Sequence, residues 1–398
     1  MAETILIDGF GPVPVYRPDS VGDAGEQIRM SVANQQAIYP LGGRTALDIG
    51  VPPTKPGIAL DLRGLNSVID YPAADMTVTV QAGTTVSALQ TLLAKERQWL
   101  PVDLARPDAA TLGGALAVNS SGPRRLGYGT LRDYLIGISF LTDAGEEVKG
   151  GGRVVKNVAG YDLMKLHLGA LGTLGVITQL TFKVKPVPEE RAVLIFGTTT
   201  DRIAATLDQL HATNGRPIAV DVLNAGAANA VGLLSSSPWT VVVGFEEKAV
   251  TVATQLATVQ MEFGLSGDVR TGEDATAVWS TLTDLPCRPE STFVRKASVR
   301  PSQVAEVLSR AEGKGDLIHA HALSGIVWLH STADSTHTVP GTVVTRTAPA
   351  EWKTSERVWG KPASDWALKA HIKQTLDPGN VFNAGRVFAI IHGDQMGQ

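Results

Sequence analysis

One cysteine in 398 residues, Cys287, leaves no partner for an intramolecular disulfide and no thiolate set for a zinc or iron–sulfur centre. An iron–sulfur acceptor would have to sit on another chain, and a reducing compartment fits. Charge of one sign is also scarce: Lys plus Arg number 35 against Asp plus Glu 39, a net −4 with no run of five or six like charges. A nucleic-acid surface needs clustered cations to displace counterions, so nucleic acid is not the expected partner. Met1–Asp8 has no basic leader, and no stretch approaches about 18 uninterrupted apolar residues, so a cytoplasmic protein without a membrane span is expected. The common nucleotide motifs are missing as well. Gly127-Tyr128-Gly129 is followed by Arg132 where G-x-G-x-x-G needs its third glycine, and no G-x-x-x-x-G-K-[ST] occurs.

Glycine is what the chain has in excess, 41 in all. Twenty-four fall in residues 1–188 and 17 in the longer remainder. The first half therefore needs backbone more than side chain.

Short strand-like runs dominate residues 36–185: Ile58–Leu62, Met76–Val80, Leu135–Leu141 and Val176–Val184. Val and Thr alternate in them as half-buried strands require. Helical spacing appears at Val86–Glu96 and Asp162–Leu168. The pattern is α+β without a regular β-α-β repeat. Pro186-Val187-Pro188 breaks both ladders and helices and marks a domain exit. Strands at Ala192–Phe196, Ile218–Val222, Thr240–Gly244 and Ile326–Leu329 then alternate with helices at Ile203–Leu210 and near 249–263 and 302–312. A loop is expected over 331–365, a terminal helix near 365–375, and tryptophans 328, 352, 359 and 366 as packing residues. The expected domains are 1–188, a smaller α+β unit at 189–365, and a terminal segment, 366–398, returning to the first domain.

Three glycine-bearing segments stand out. Tyr39–Ala46 holds Gly42-Gly43-Arg44-Thr45, where successive N–H groups and a hydroxyl can face one concavity and hold a diphosphate. Thr111–Gly122 lets an extended ligand lie against main chain, and Gly169–Ile177 opens a strand. Each alone is compatible with a tight turn or close packing; three within about 135 residues favour one extended ligand.

These segments, joined to Val154-Val-Lys-Asn-Val-Ala-Gly-Tyr-Asp-Leu163 and to Phe382-Asn-Ala-Gly-Arg386, resemble the FAD-binding domain of the vanillyl-alcohol oxidase / p-cresol methylhydroxylase (PCMH-type) superfamily. Within it the likeness is to glycolate oxidase FAD-binding subunits of the E type. The larger D-type subunits have G-S-E-G-T-L-G where this chain has Gly169-Ala-Leu-Gly-Thr-Leu-Gly175, without the acid. The resemblance implies two α+β subdomains holding FAD, a cap over the flavin, and a C-terminal segment returning to it. By position, Leu41, Gly42, Gly43, Arg44 and Thr45 would line the pyrophosphate. Thr111, Gly113, Gly114 and Gly122 would continue along the cofactor, Gly172, Thr173, Gly175, Val176 and Ile177 would meet the adenine and ribose side, and Asn383 and Arg386 would lie near the flavin. Some relatives attach FAD through a histidine in the first loop; Arg44 stands there, so non-covalent FAD is implied.

The resemblance also implies oxidation of a small 2-hydroxy acid such as glycolate, in a hetero-complex with a larger D-type flavoprotein and an iron–sulfur subunit, peripheral to the inner membrane through those partners. The implied base is His321, with Arg386 as a charge beside the flavin. Complete 2-hydroxy-acid dehydrogenases carry a metal-ligating motif like H-x-G-D-G-N-L-H here, but Trp328 replaces its second histidine. His319 and His321 share a strand face with no third ligand evident, so no metal is expected. Arg288, Arg295 and Arg300 are open candidates for a carboxylate clamp, and Lys156, Tyr161 and Asp162 read as braces of the flavin domain. A stand-alone FAD oxidoreductase for another hydroxy acid or alcohol, and a non-catalytic assembly subunit, stay open beside this reading.

Overall fold

The computed structural model describes residues 3–152, 162–233, 236–288, 290–311, 316–334 and 339–387. Two larger sheets and the two-stranded pair of Gln98–Trp99 with Lys185–Pro186 make the amino-terminal half. In the first, Thr4–Ile7 pairs antiparallel with Phe10–Tyr16, and Gly57–Asp61 and Ala37–Leu41 follow in parallel. Helix Val21–Ala33, capped by Ser20, buries Ala24 and Ile28 against Ile38, Ile58 and Leu60. The second sheet is antiparallel, in the order Val68–Asp70, Thr77–Gln81, Val176–Lys183, Leu135–Leu141, Glu147–Gly151. Its apolar face takes Leu89 and Leu93 of helix Val86–Ala94 and Leu112 and Leu116 of helix Leu112–Val118. The alternation of Val and Thr in Thr77–Gln81 is the half-buried pattern: Val78 and Val80 enter that core, while Thr79 bonds Thr181 on the opposite face.

The carboxy-terminal half centres on an eight-stranded antiparallel sheet. Its order is Asp268–Thr271, Glu190–Thr198, Trp239–Glu247, Ala219–Asn224, Leu317–His321, Ile326–Ser331, Phe293–Ser298, Thr342–Thr347. One face, including Val220, Val222, Val241, Val243, Ile318, Ala320, Ala297, Val327 and Leu329, is covered by helices Ile203–Ala212, Ala249–Phe263 and Val304–Ala311. The other face is covered at one end by helices Ala225–Ala230 and Gly272–Asp284. At its other end it presents Trp328 and Lys296 to a cavity. The region expected as loop, 331–365, contains strand Thr342–Thr347 and helix Ser355–Trp359. Prolines and threonines around it suggested coil, but Thr-Val-Val-Thr is β-branched and finds an edge to pair with on Phe293–Ser298.

The chain end comes back to the first sheet. After helix Trp366–Leu376, Ile38 N–H donates to the Val381 carbonyl at 2.8 Å and Asn383 N–H to the Ile38 carbonyl at 2.9 Å. Phe382 is buried in the same core as Ile38 and Val176. Among the described residues no helix is long and apolar enough to cross a membrane.

His167 is buried against Phe140, ring centroids 4.0 Å apart, and burial pushes its pKa down to about 4. Unfolded histidine takes a proton near 6.5, so below that pH the unfolded chain binds more protons than the folded one. Stability is therefore expected to be level above pH 6.5 and to fall on acidification toward pH 4, with His167 contributing up to about 1.4 kcal/mol per pH unit. Urea midpoints at pH 7.5 and 5.0, compared between wild type and His167→Gln, test this; equal pH sensitivity in the two would remove the assignment.

Candidate active site

All three glycine segments and the return of the chain end line one cleft of about 910 Å³, its open mouth included. Leu41, Gly42, Gly43, Arg44 and Thr45 form one wall, Thr111, Gly113 and Gly114 the second, and Gly172, Gly175, Ile177 and Asn383 the third. The two glycine loops are pressed together: a Cβ on Gly42 would stand 2.0 Å from Thr111 Oγ1, and one on Gly43 would stand 1.7 Å from the Ala109 carbonyl oxygen. Thr111 is itself fixed as the cap of helix Leu112–Val118, its Oγ1 accepting from Gly114 N–H. Gly172 adopts φ +65°, where a side chain is strained, and this turn is held by Asn383 Nδ2 donating to the Leu171 carbonyl at 2.6 Å.

The first glycine loop has amide donors that no protein acceptor among the described residues takes up. Among the described residues, no hydrogen bond uses the amide N–H groups of residues 43–46, and Arg44, at φ 58°, gives the loop the left-handed kink of an anion nest. Arg44 Nε is buried and unpartnered, while its Nη2 donates to Glu3 at 2.9 Å and Asp61 at 3.1 Å. Asp61 is buried beneath the loop. Burial alone would raise its carboxyl, but hydrogen bonds and charge from Arg63 and Arg17 outweigh that and hold it at about 2. The ion cluster keeps Arg44 turned along the cleft wall. Consecutive amide donors, a threonine hydroxyl and a fixed guanidinium fit a diphosphate.

Gly122, Thr173 and Val176 stand outside the cleft lining. Gly122 packs on Asp103, where a Cβ would lie 2.6 Å from the Asp103 Cβ. Thr173 is buried with its hydroxyl on the Ala170 carbonyl at 2.7 Å, and Val176 pairs with Leu141 in the core. Alternation explains the last: Gly175 and Ile177 reach the cleft, so Val176 faces away. Arg386 lines the cleft, but its guanidinium is buried in the loop beside it. It donates to the carbonyls of Leu47 (2.5 Å), Val51 (3.1 Å) and Ile49, and lies 3.4 Å from Asp8. It braces the loop of residues 47–51 rather than offering a free charge. Val154–Tyr161, with Lys156 and Tyr161, lies outside the described residues; Asp162 is paired with Lys165 at 2.5 Å.

A second cavity, about 1210 Å³, adjoins the first through Arg44, Thr45, Leu47 and Ile49. The amino-terminal half supplies Asp103, Arg106, Asn119, Ser120 and Ser121; the opposite wall supplies Cys287, Arg288, Lys296, Trp328, Arg346 and Thr347. Asp103 is bound by Arg124, and Asp48 accepts from Thr347 Oγ1 at 2.7 Å. Among the described residues, Arg288, Lys296 and Arg346 have no carboxylate within ion-pair distance. Of the arginines proposed as a clamp, Arg288 is therefore in place. Arg295 faces away, paired with Asp334 and stacked over Phe293 and Trp352, and exposed Arg300 is engaged with Gln303.

His321 lines neither cavity. It is 2% exposed, and its Nδ1 lies 2.9 Å from Asp221 Oδ1, while His319 Nε2 lies 3.1 Å from Oδ2 of the same carboxylate. Asp221, His319 and His321 bring their ligand-type atoms within 4.8 Å of one another. Asp221 is the third member that sequence spacing could not reveal, since it arrives from strand Ala219–Asn224, about 100 residues earlier. Burial opposes its charge, but the two histidines prevail and draw its pKa down to about 2. Each imidazole thus has a carboxylate partner within the eight-stranded sheet, its other ring nitrogen, His319 Nδ1 or His321 Nε2, is buried without a hydrogen-bond partner among the described residues, and neither residue lines the cavity.

The cleft, its amide nest and the returning chain end have the donors and shape that a dinucleotide requires, and residues 12–151 match the FAD binding domain family. Over those residues the chain carries an FAD-binding domain, and its cofactor is FAD. It is 27% identical to the glycolate oxidase subunit GlcD of Bacillus subtilis (strain 168) over 95% of this chain and 89% of that protein. It is 34% identical to the glycolate oxidase subunit GlcE of Escherichia coli (strain K12) over 41% of this chain and 46% of that protein. The first curated relatives are not all matched throughout: the chain spans 39% of one and 46% of another. An alkyldihydroxyacetonephosphate synthase structure shares the fold, with a TM-score of 0.67 and 18% identity over 93% of this chain and 75% of that one.

Proposed function

We propose that this chain is the FAD-binding subunit of a glycolate-type 2-hydroxy acid oxidase or dehydrogenase, holding FAD non-covalently and acting beside a larger D-type flavoprotein and an iron–sulfur subunit. The observation that carries the reading is the cation-rich second cavity opening onto the FAD cleft. Arg346 and Arg288 would grip the carboxylate, since guanidinium matches it in a two-point geometry. Burial lowers the pKa of Arg346, which a bound carboxylate would relieve. FAD supplies a two-electron acceptor for the hydrogen leaving C2. The chain's own part is to seat the acid by its carboxylate, so that C2 faces the cofactor cleft, and to exclude water behind buried Trp328.

The test is anaerobic: flavin bands of the FAD-loaded chain should bleach on adding glycolate or D-lactate, first alone and then with the D-type and iron–sulfur partners. Bleaching only with partners would assign this flavin to electron relay within the complex; no bleaching by either acid in either setting would sink the reading. Arg346→Met is expected to keep FAD and to weaken the productive hydroxy acid about 10–100-fold, the worth of a charge-assisted hydrogen-bond pair. Apparent affinity from the concentration dependence of bleaching checks it.

A further inference from the structure

The clamp leaves open what removes the hydroxyl proton. His321, enclosed with Asp221 within the eight-stranded sheet, is not at hand. We propose that Lys296 is the general base of the second cavity, acting as a neutral amine on the hydroxyl of the bound acid; this rests on the hydroxy-acid reading above.

The geometry is specific. Lys296 alternates with Ala297 on strand Phe293–Ser298, and Ala297 belongs to the helix-covered core, so Lys296 stands on the cavity face. Trp328 is its cross-strand partner, with Nζ 5.8 Å from the indole centroid, and His319 follows on the next strand. Among the described residues Lys296 has no hydrogen-bond or ion-pair partner. Its surroundings are unfavourable to an ammonium. Arg346 on the adjoining strand and Arg125 of the amino-terminal half repel it, Arg288 on the same wall and Arg44 and Arg106 facing it add further cations, and Asp48, Asp103 and Cys287 are the other ionisable groups lining the cavity. His330, on the strand beside it, is driven neutral, with a pKa of about 4 set mainly by burial. Burial first, then Arg346 and Arg125, bring Lys296 down to about 8. About one molecule in ten then carries the neutral amine at pH 7, against fewer than about one in a thousand for an ordinary lysine.

In the step assigned to it, the substrate O–H bond breaks and its proton joins the Lys296 amine to give an ammonium. The C2–H bond breaks with its electron pair passing to oxidised FAD, and the C2–O bond becomes the carbonyl of a 2-oxo acid. The ammonium then returns its proton to solvent through the cavity mouth, where Cys287 and Arg106 are exposed.

Two measurements test the base. In the first, amines of the FAD-loaded protein without substrate are pulse-acetylated from pH 6 to 11 and quantified by mass spectrometry. Lys296 should reach half-reactivity near pH 8; a half-point near 10 would overturn the proposal. In the second, anaerobic flavin reduction by glycolate or D-lactate is followed against pH. The wild-type rate should rise with a bend near pH 8. Lys296→Met should retain FAD bands but reduce about 10²–10⁴-fold more slowly, without the bend and with partial rescue by methylamine. Lys296→Arg, which keeps the charge but cannot go neutral, should be as slow. A wild type that bleaches while Lys296→Met stays within tenfold of it removes the base alone; a wild type that no hydroxy acid bleaches removes the underlying reading with it.

Discussion

Arg124→Met should destabilise the protein by about 3–5 kcal/mol, because it leaves buried Asp103 without a cation and buried Glu246 with only the longer contact to Arg191, at 3.4 Å. The Arg124 backbone N–H and Nε bind Asp103 at 2.7 and 2.8 Å, and Nη1 reaches Glu246 at 2.8 Å. Asp103 follows the strand Gln98–Trp99 of the amino-terminal half, whereas Glu246 lies on strand Trp239–Glu247 of the eight-stranded sheet, so one guanidinium ties the two together. It also lies over Trp99, 4.9 Å from the ring centroid, with Arg191 near the same ring at 5.3 Å. The Asp103 and Glu246 side chains are 2% and 0% exposed, so water cannot replace the lost cation. Thermal or urea unfolding at saturating FAD measures the loss. Arg124→Lys should recover only part of it, since an ammonium keeps the charge but cannot span both carboxylates with a planar fork. A loss below about 1 kcal/mol for the methionine variant would show that the junction does not depend on this pair.

Gly43→Val should abolish FAD retention. Even a methyl group at residue 43 would lie 1.7 Å from the Ala109 carbonyl and 3.1 Å from the Ala110 Cα, main-chain atoms that cannot rotate aside. The loop can respond only by separating from the segment leading into helix Leu112–Val118, which opens the nest meant for the diphosphate. Overpacking of this kind commonly costs about 1–3 kcal/mol in a core; here the displaced atoms are themselves the binding surface, so affinity should fall by at least about 100-fold. Titration of apo-protein with FAD, followed by flavin fluorescence quenching, measures this, with far-UV circular dichroism as the control for folding. Gly114→Ala is the internal comparison. Its Cβ would meet only Thr111 Oγ1, at 3.2 Å, and a much smaller change is expected. Equal FAD binding by wild type and Gly43→Val would refute the nest.

The flavin cleft was legible because it is built from local necessities. A loop that must approach another backbone within a few ångströms requires glycine at particular places, and Gly42, Gly43, Gly113 and Gly172 record that in the residues themselves. Strands such as Leu135–Leu141 and helix Ala249–Phe263 were likewise visible from their periodicity. Strand Thr342–Thr347 was not. An edge strand is decided by the neighbour it pairs with, and Pro340 and Pro349 on either side pointed to coil.

Alternation along a strand separates Arg295 from Lys296. Both are cations in one short run, yet one turns to Asp334 and the other to the cavity, and no local signal says which face is covered by helices. The histidine pair shows the same limit. His319 and His321 were read as two residues on one face, and that is where they stand; Asp221 reaches them only through pairing of distant strands.

By itself, then, the sequence determined where an extended ligand lies against main chain, since glycine at a close backbone contact is a requirement written at single positions, and its resemblance to PCMH-type flavoproteins implied that the ligand is FAD. It also excluded thiol-based metal and disulfide chemistry through its one cysteine. Only the tertiary structure decided which charged groups meet the cavity beside the cofactor. Arg288, Lys296 and Arg346 come from a loop and two strands, and their shared field exists only once the sheet has set their register and burial has removed the water between them.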